Sequence, residues 1–227
     1  PRSSRNCAAD RLGAGGHAKV VLDLLMGSDR KVIGVCDPNL ARQGTGIWRG
    51  VPTLGDDSAI HQYAPESVEL ANGMGSLPGS QSRKRLHLAF SQQGYCFATL
   101  VHPSAVLGTG VKLGQGVQVM AGCVIQADTC IGDSTIINTA AQIDHDGRIG
   151  SHVHIAPGAV LSGEVMVEEN AHIGPNATLI QGKRIGRGAV VGAGTTVLRD
   201  IPAYHQLTGQ PPMKPQPLPQ PDQETET

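Results

Sequence analysis

"IQADTC IGDSTI INTAAQ IDHDGR IGSHVH IAPGAV", residues 125–160, falls into blocks of six that each begin with isoleucine. The same beat runs from Val101 to Val197, where every sixth residue is Val, Ile or Leu at seventeen successive positions without an insertion. A helix would need apolar spacing near 3.6, and a half-buried strand a spacing of 2. A period of six satisfies neither. It is met by a triangular coil of three short flat strands, each turning one aliphatic inward. Four places after most of these aliphatics stands a small residue, such as Ala141, Gly147, Ala159 or Ala177, which suits a narrow interior. Glycine often follows the aliphatic directly, as at Gly108, Gly132, Gly150 and Gly186, and is expected to ease the corners. Three such strands close one coil, so the segment makes between five and six coils. At a strand spacing of ~4.8 Å the prism would stand roughly 25–30 Å tall.

Residues 1–96 read differently. "GAGGHAKVVLDLLM" (13–26) is a glycine turn opening an amphipathic helix, with Val20, Val21, Leu24 and Leu25 expected on its inner face. "KVIGVCDPN" (31–39) is a buried strand ending in Asp37 and a turn, and "VELANGMGS" (68–76) a strand entering a loop at Gly73. A helix over 82–95 is stopped by Gly94. Alternating strands and helices predict a small parallel α/β domain. Gly13, Gly15 and Ala18 match the G-x-G-x-x-A form of the dinucleotide fingerprint, with Asp37 about twenty residues on. With fewer than 100 residues the second mononucleotide-binding half is missing, so half a Rossmann fold suits a nucleotide-sugar better than NAD. Asp10 and Arg11 stand where a buried first strand is expected. The domains are therefore read as 1–96, a Rossmann-like nucleotide-sugar-binding unit, 97–208, the repeat, and 209–227, a Pro/Gln-rich tail expected to be disordered.

Composition narrows the function classes. A net charge of −1 with no basic run speaks against nucleic acid as a partner. No stretch is long or apolar enough for membrane insertion and no signal peptide is visible. The five cysteines are scattered without a CxxC pair, which fits reduced thiols in a cytoplasmic protein.

The titratable groups concentrate where the repeat is most regular. His145 stands between Asp144 and Asp146, two places past the inward Ile143, among small residues such as Ala127 and Gly163 on neighbouring coils. A ring there can meet a substrate. An imidazole near neutrality accepts a proton, and an adjacent carboxylate fixes its tautomer and stabilises the imidazolium. His152 and His154 share one strand face, but no third ligand of fixed spacing accompanies them, so no metal is expected. His152 is expected to be solvated, His154 to face a neighbouring subunit's site, and His172 and His205 to be structural.

The GAGGHAKVV turn, the strand ending CDPN, the NG-x-GS loop, and HPSA opening a repeat that carries NTAAQIDHD come in a specific order over residues 12–212. In this the chain resembles the hexapeptide-repeat sugar O/N-acetyltransferases grouped with sialic acid O-acetyltransferase. That group includes enzymes acting on UDP-4-amino-sugars and GDP-perosamine in bacterial surface-glycan synthesis. The resemblance implies a left-handed parallel β-helix, a homotrimer, and acetyl-CoA bound between adjacent subunits. It implies His145 as general base, with Asp146 orienting it. His154, Gly163 and Gly192 would face the cofactor. Gly13, Gly15, Gly16 and His17 would contact phosphate, Asp37 the base, and Gly73 would lie in the acceptor site. Expected is N-acetyl transfer to a nucleotide-linked amino-sugar. A hydroxyl acceptor such as a sialic acid is the alternative, and a non-catalytic trimeric sugar-binding scaffold the third reading.

Overall fold

The computed structural model describes residues 6–9 as a backbone strand and residues 15–209 in full. Gly13 of the glycine turn and residues 210–227 of the expected tail lie outside the described residues.

The N-terminal part runs β1 (Asn6–Ala9), α1 (Gly16–Met26), β2 (Val32–Cys36), α2 (Pro38–Arg42), β3 (Ile47–Trp48), β4 (Val51–Gly55), β5 (Val68–Leu70), α3 (Ser82–Ser91) and β6 (Cys96–Phe97). Its sheet has the order β3-β4-β2-β1-β5-β6. Every pairing is parallel apart from β3 on β4. Despite the polar residues that follow it, β1 forms and sits centrally, paired with both β2 and β5. The inner stripe of α1 is Ala18, Val21, Leu22 and Leu25, with Leu24 beside it, a spacing of three and four residues that keeps one face inward. Val20, expected in that stripe, points outward at 43% exposure. The turn after β2 is a short helix: Asp37 caps α2 by accepting from Asn39 N (2.7 Å) and Leu40 N (2.8 Å), and Pro38 occupies its first turn.

From Leu100 the chain winds into two-residue strands that assemble three parallel sheets of seven, six and five strands. Residues pair with those eighteen places on, as Gln118 with Ile136, Val124 with Gln142 and Cys130 with Arg148, until the last coil, where Val190 meets Gln206. This is the left-handed parallel β-helix expected of the repeat. Amides of one coil donate to carbonyls of the next, as Gln142 N to Ala159 O (2.9 Å) and Asp144 N to Leu161 O (2.8 Å). The inward aliphatics Ile125, Ile137, Ile143, Ile155 and Leu161 are almost fully buried, and the small residues Ala141, Ala159 and Ala177 fill the space between them.

The corners are made differently from the expectation. The left-handed backbone does not fall on the glycine after each aliphatic. It falls two residues later, at fifteen successive positions from Gly110 to Gly194, and eight of these are not glycine, among them Asp128, Asp146, His152 and Asn176. The glycines after the aliphatics serve close approach instead. A Cβ on Gly132 would lie 2.6 Å from Ser151 N, and one on Gly150 2.7 Å from Glu169 N, both backbone atoms of the next coil.

The N-terminal part covers the outer face of the seven-stranded sheet. Gln118 and Ile136, which stand in one outward column, are buried, and His154 of the same column is 9% exposed. Lys84 of α3 reaches across to Glu169 (2.6 Å), which also pairs with Arg187 (3.2 Å). No helix among the described residues is long and apolar enough to cross a membrane.

The two kinds of glycine separate by substitution. Gly150→Ala forces a backbone clash and should cost about 1–3 kcal/mol in a denaturant titration. Gly182→Asn, at a φ of 68° with open space around it, should cost under about 1 kcal/mol, since asparagine enters this region readily.

Candidate active site

His145 sits at a coil corner between the strands Gln142–Ile143 and Arg148–Ile149. The following residue, Asp146, takes the left-handed conformation with φ 59°, and its carboxylate lies beside the ring: Asp146 Oδ2 is 2.8 Å from His145 Nδ1. A carboxylate only accepts, so Nδ1 carries the proton and Nε2 keeps a lone pair. Asp144 Oδ1 accepts from the backbone N–H of His145 (2.8 Å) and fixes the corner from the other side. The ring remains half exposed. The hydrogen bond to Asp146 lifts its pKa above the ordinary histidine value, partial desolvation opposes it, and the charges of Asp144, Asp146 and Glu164 add to the rise. Gly163 lies directly beneath: a Cβ there would stand 2.6 Å from Nε2 and 2.7 Å from Cε1. Its bare backbone makes room for the ring.

The other two histidines of the stretch are elsewhere. His152, expected to be solvated, takes a corner position and meets His87 of α3 edge-on with centroids 5.3 Å apart; burial lowers its pKa to about 4. His154, expected to face a neighbouring subunit, is turned under the N-terminal part of its own chain. Its Nδ1–H donates to Ser76 O (3.0 Å), and its Nε2 accepts from Asn138 Nδ2 (3.2 Å). Burial, with His172 adding to it, brings its pKa down to about 4. Both nitrogens are occupied, so His154 is held as a neutral ring. Covering the sheet face from a separate domain is a tertiary event that hexapeptide spacing alone does not announce. His172 stacks edge-on against His154 at 4.8 Å.

In the N-terminal part a cleft of about 380 Å³ is lined by Gly15, Gly16, His17, Asp37, Gly73 and Arg42, among others. The sequence-predicted acceptor residues that lie among the described residues thus converge on one cavity. The first turn of α1 has no side-chain cap and no acidic residue, so its backbone N–H groups are free for an anion. Asp37 is almost fully buried, and one of its oxygens serves as the cap of α2. Its first task is to shape the cleft wall.

A second groove, of about 420 Å³, contains Gly192 with Gly174, His172 and Gln206 on the β-helix and Pro78 and Gly79 on the loop after β5. That loop joins the two cavities: its residues 73–75 line the first and Pro78–Gly79 the second. It is held by Arg83 of α3, buried to 6% exposure, whose Nη1 donates to Asn72 O (2.8 Å) and Met74 O (2.7 Å). Arg83, Gln118 and Asn138 were not singled out from the sequence. Asn138 stands inside the NTAAQIDHD stretch, which is the one signal that could have found it. Among the described residues no group of three His, Cys, Asp or Glu is placed to hold a metal.

Comparisons with known proteins bear on the family and the fold. The PglD N-terminal domain matches residues 12–87, the bacterial transferase hexapeptide matches 146–181, and the hexapeptide repeat of succinyl-transferase matches 164–199. A variant of perosamine N-acetyltransferase from Caulobacter crescentus, solved with CoA and GDP-perosamine, is 36% identical over 90% of this chain and 93% of its own, with a TM-score of 0.80. The acetyltransferase domain of PglB from Neisseria gonorrhoeae, solved also with acetyl coenzyme A, is 31% identical over 90% of this chain and 97% of its own, with a TM-score of 0.81. Curated relatives include the acyl-[acyl-carrier-protein]–UDP-N-acetylglucosamine O-acyltransferase of Ectopseudomonas mendocina, 34% identical over 107 residues. The match takes in 42% of that relative's length.

The His145–Asp146 pair sets a pH signature. For the general-base role expected of His145 the ring must be neutral, so kcat/KM should fall as pH drops through its pKa, with a midpoint above the ordinary histidine value of 6.5. Asp146→Asn removes the charge that stabilises the imidazolium and should move that midpoint down toward 6.5. An unchanged midpoint in the variant would mean the carboxylate does not govern the ring.

Proposed function

The chain belongs to the hexapeptide-repeat sugar acetyltransferases with a PglD-type N-terminal domain, and on that premise we propose that it transfers acetyl from acetyl-CoA to the amine of a nucleotide-linked amino-sugar. The observation that carries this reading is the His145–Asp146 pair on the β-helix combined with an anion-ready cleft in the same chain. In this reading the diphosphate rests on the N-terminus of α1, with Gly15 and Gly16 allowing its close approach. The base lies toward Asp37 and Asn39, and acetyl-CoA runs past Gly192.

Chemically, the neutral amine attacks the thioester carbonyl and forms a tetrahedral intermediate. His145 Nε2 takes the amine's proton, and the resulting imidazolium is stabilised by Asp146. Collapse of the intermediate breaks the C–S bond, and the proton returns to the departing thiolate, giving the amide and free CoA. No covalent acyl-enzyme is required.

His145 borders neither the acceptor cleft nor the Gly192 groove of its own chain. A site completed by a neighbouring copy accounts for this, and a homotrimer is the arrangement proposed. Apolar residues on the outer surface, such as Val106 at 59% and Met166 at 44% exposure, give such packing something to bury. The product would feed the assembly of a surface glycan in the cytoplasm.

His145→Ala should lower kcat by at least about a hundredfold, the ordinary contribution of a positioned base. Both substrates should still bind, in a particle whose mass by light scattering matches the wild type. Retention of more than about a tenth of the rate would remove His145 from the proton transfer.

A further inference from the structure

Gln118 belongs to the β-helix, yet it bonds to two walls of the acceptor cleft. It lies on the strand Gln118–Val119, faces outward, and is 1% exposed beneath the N-terminal part. Its Nε2 donates to the backbone carbonyl of Asn72 (2.8 Å), at the start of the loop that carries Gly73, Met74 and Gly75 into the cleft. Its Oε1 is 2.9 Å from His17 Nε2, in the first turn of α1.

These two bonds settle a tautomer. Asn72 O is a carbonyl and only accepts, so the amide nitrogen of Gln118 must face it. Its oxygen is then turned to His17, and that oxygen also only accepts. Hence the proton of a neutral His17 sits on Nε2, and Nδ1 holds the lone pair. Burial and the nearby Arg83 guanidinium keep the ring neutral, with a pKa near 4. His17 lines the cleft, so the side chain offers it an acceptor and no donor. On this reading the phosphate contact expected of His17 falls to its backbone N–H in the first turn of α1, not to its ring. A phosphate oxygen is itself an acceptor and would be repelled by that lone pair, leaving the diphosphate to the backbone N–H groups.

We propose that Gln118 is a positioning residue of the acceptor site, holding His17 so that its Nδ1 accepts a hydrogen bond from a hydroxyl or amine of the acceptor sugar. The proposal rests on the acceptor being a nucleotide-sugar, as argued above. It assigns the sugar, not the diphosphate, to the His17 side of the cleft. It also makes sugar recognition depend on a β-helix side chain, so the two parts of the chain share one site.

Histidine-selective ¹⁵N labelling of the full chain tests this directly, because an unprotonated ring nitrogen, a protonated one and one accepting a hydrogen bond resonate apart. Resonances are assigned with His17→Asn. The ligand-free protein should show His17 with Nε2 protonated and Nδ1 bare. Adding GDP-perosamine or a UDP-4-amino-sugar should shift Nδ1 toward the hydrogen-bonded position, whereas GDP or UDP alone should bind without that shift. Gln118→Met should mix the tautomers and raise the acceptor's KM about tenfold, as for one lost polar contact, with the KM for acetyl-CoA unchanged. A proton on Nδ1 in the free protein, binding of the sugar nucleotide with no Nδ1 response, or the same Nδ1 shift from GDP or UDP alone would each overturn the proposal. Failure of all four nucleotides to perturb the spectrum would instead overturn the acceptor class itself. The tautomer of the free protein is read independently of that result.

Discussion

Coil-to-coil hydrogen bonding at an interval of eighteen residues is the constraint on which the rest depends. It stacks backbones so closely that Gly108, Gly132 and Gly150 have no room for a side chain, and it forces a left-handed corner every six residues. Asp146 stands on one of those corners, and so its carboxylate meets the ring of the residue before it. Gly163, one coil on, leaves the space that the ring occupies. The scaffold thus creates the proposed base by repeat geometry, with no loop of its own.

Burial divides the histidines into two kinds. His145 is exposed at the corner among Asp144, Asp146 and Glu164, and its pKa rises. His17, His152 and His154 lie between the N-terminal part and the β-helix, and desolvation brings each down to about 4. A neutral buried imidazole makes two directional hydrogen bonds without bringing a charge into the interface. His154 does so with Ser76 and Asn138, and His17 uses one nitrogen on Gln118 and keeps the other for the cleft. One residue type is therefore raised in pKa at the exposed corner and held neutral where it is buried, and the roles proposed for it follow that division.

Much of this was legible in the sequence. The unbroken run of aliphatics from Val101 to Val197 announces the β-helix, and the D-H-D triplet announces the contact between His145 and Asp146, because both are local and periodic. The glycine turn and Asp37 were rightly brought to one place, since a strand, a turn and a helix set their spacing. What escaped is what packing decides. Nothing local marks the column Gln118, Ile136, His154 as the face that another domain will cover, so His152 was expected in solvent and His154 at a neighbour. The glycine after each aliphatic was assigned to the corner because period alone cannot separate a need for positive φ from a need for close approach. Nor does anything local mark Gln118 as the side chain that will bond to His17 and to the loop at Asn72.

The central claim is that one chain joins a nucleotide-sugar cleft to a thioester-directed base. Mass spectrometry of the products tests it most directly. The protein is incubated with acetyl-CoA and a panel of UDP- and GDP-linked amino-sugars, alongside their hydroxyl counterparts and the free sugars. The account predicts one acetyl group on the amine of a nucleotide-linked sugar, with one CoA released per product and none from the free sugar. Acetylation of a free sugar in preference to its nucleotide form, or of a hydroxyl where an amine is offered, would contradict it.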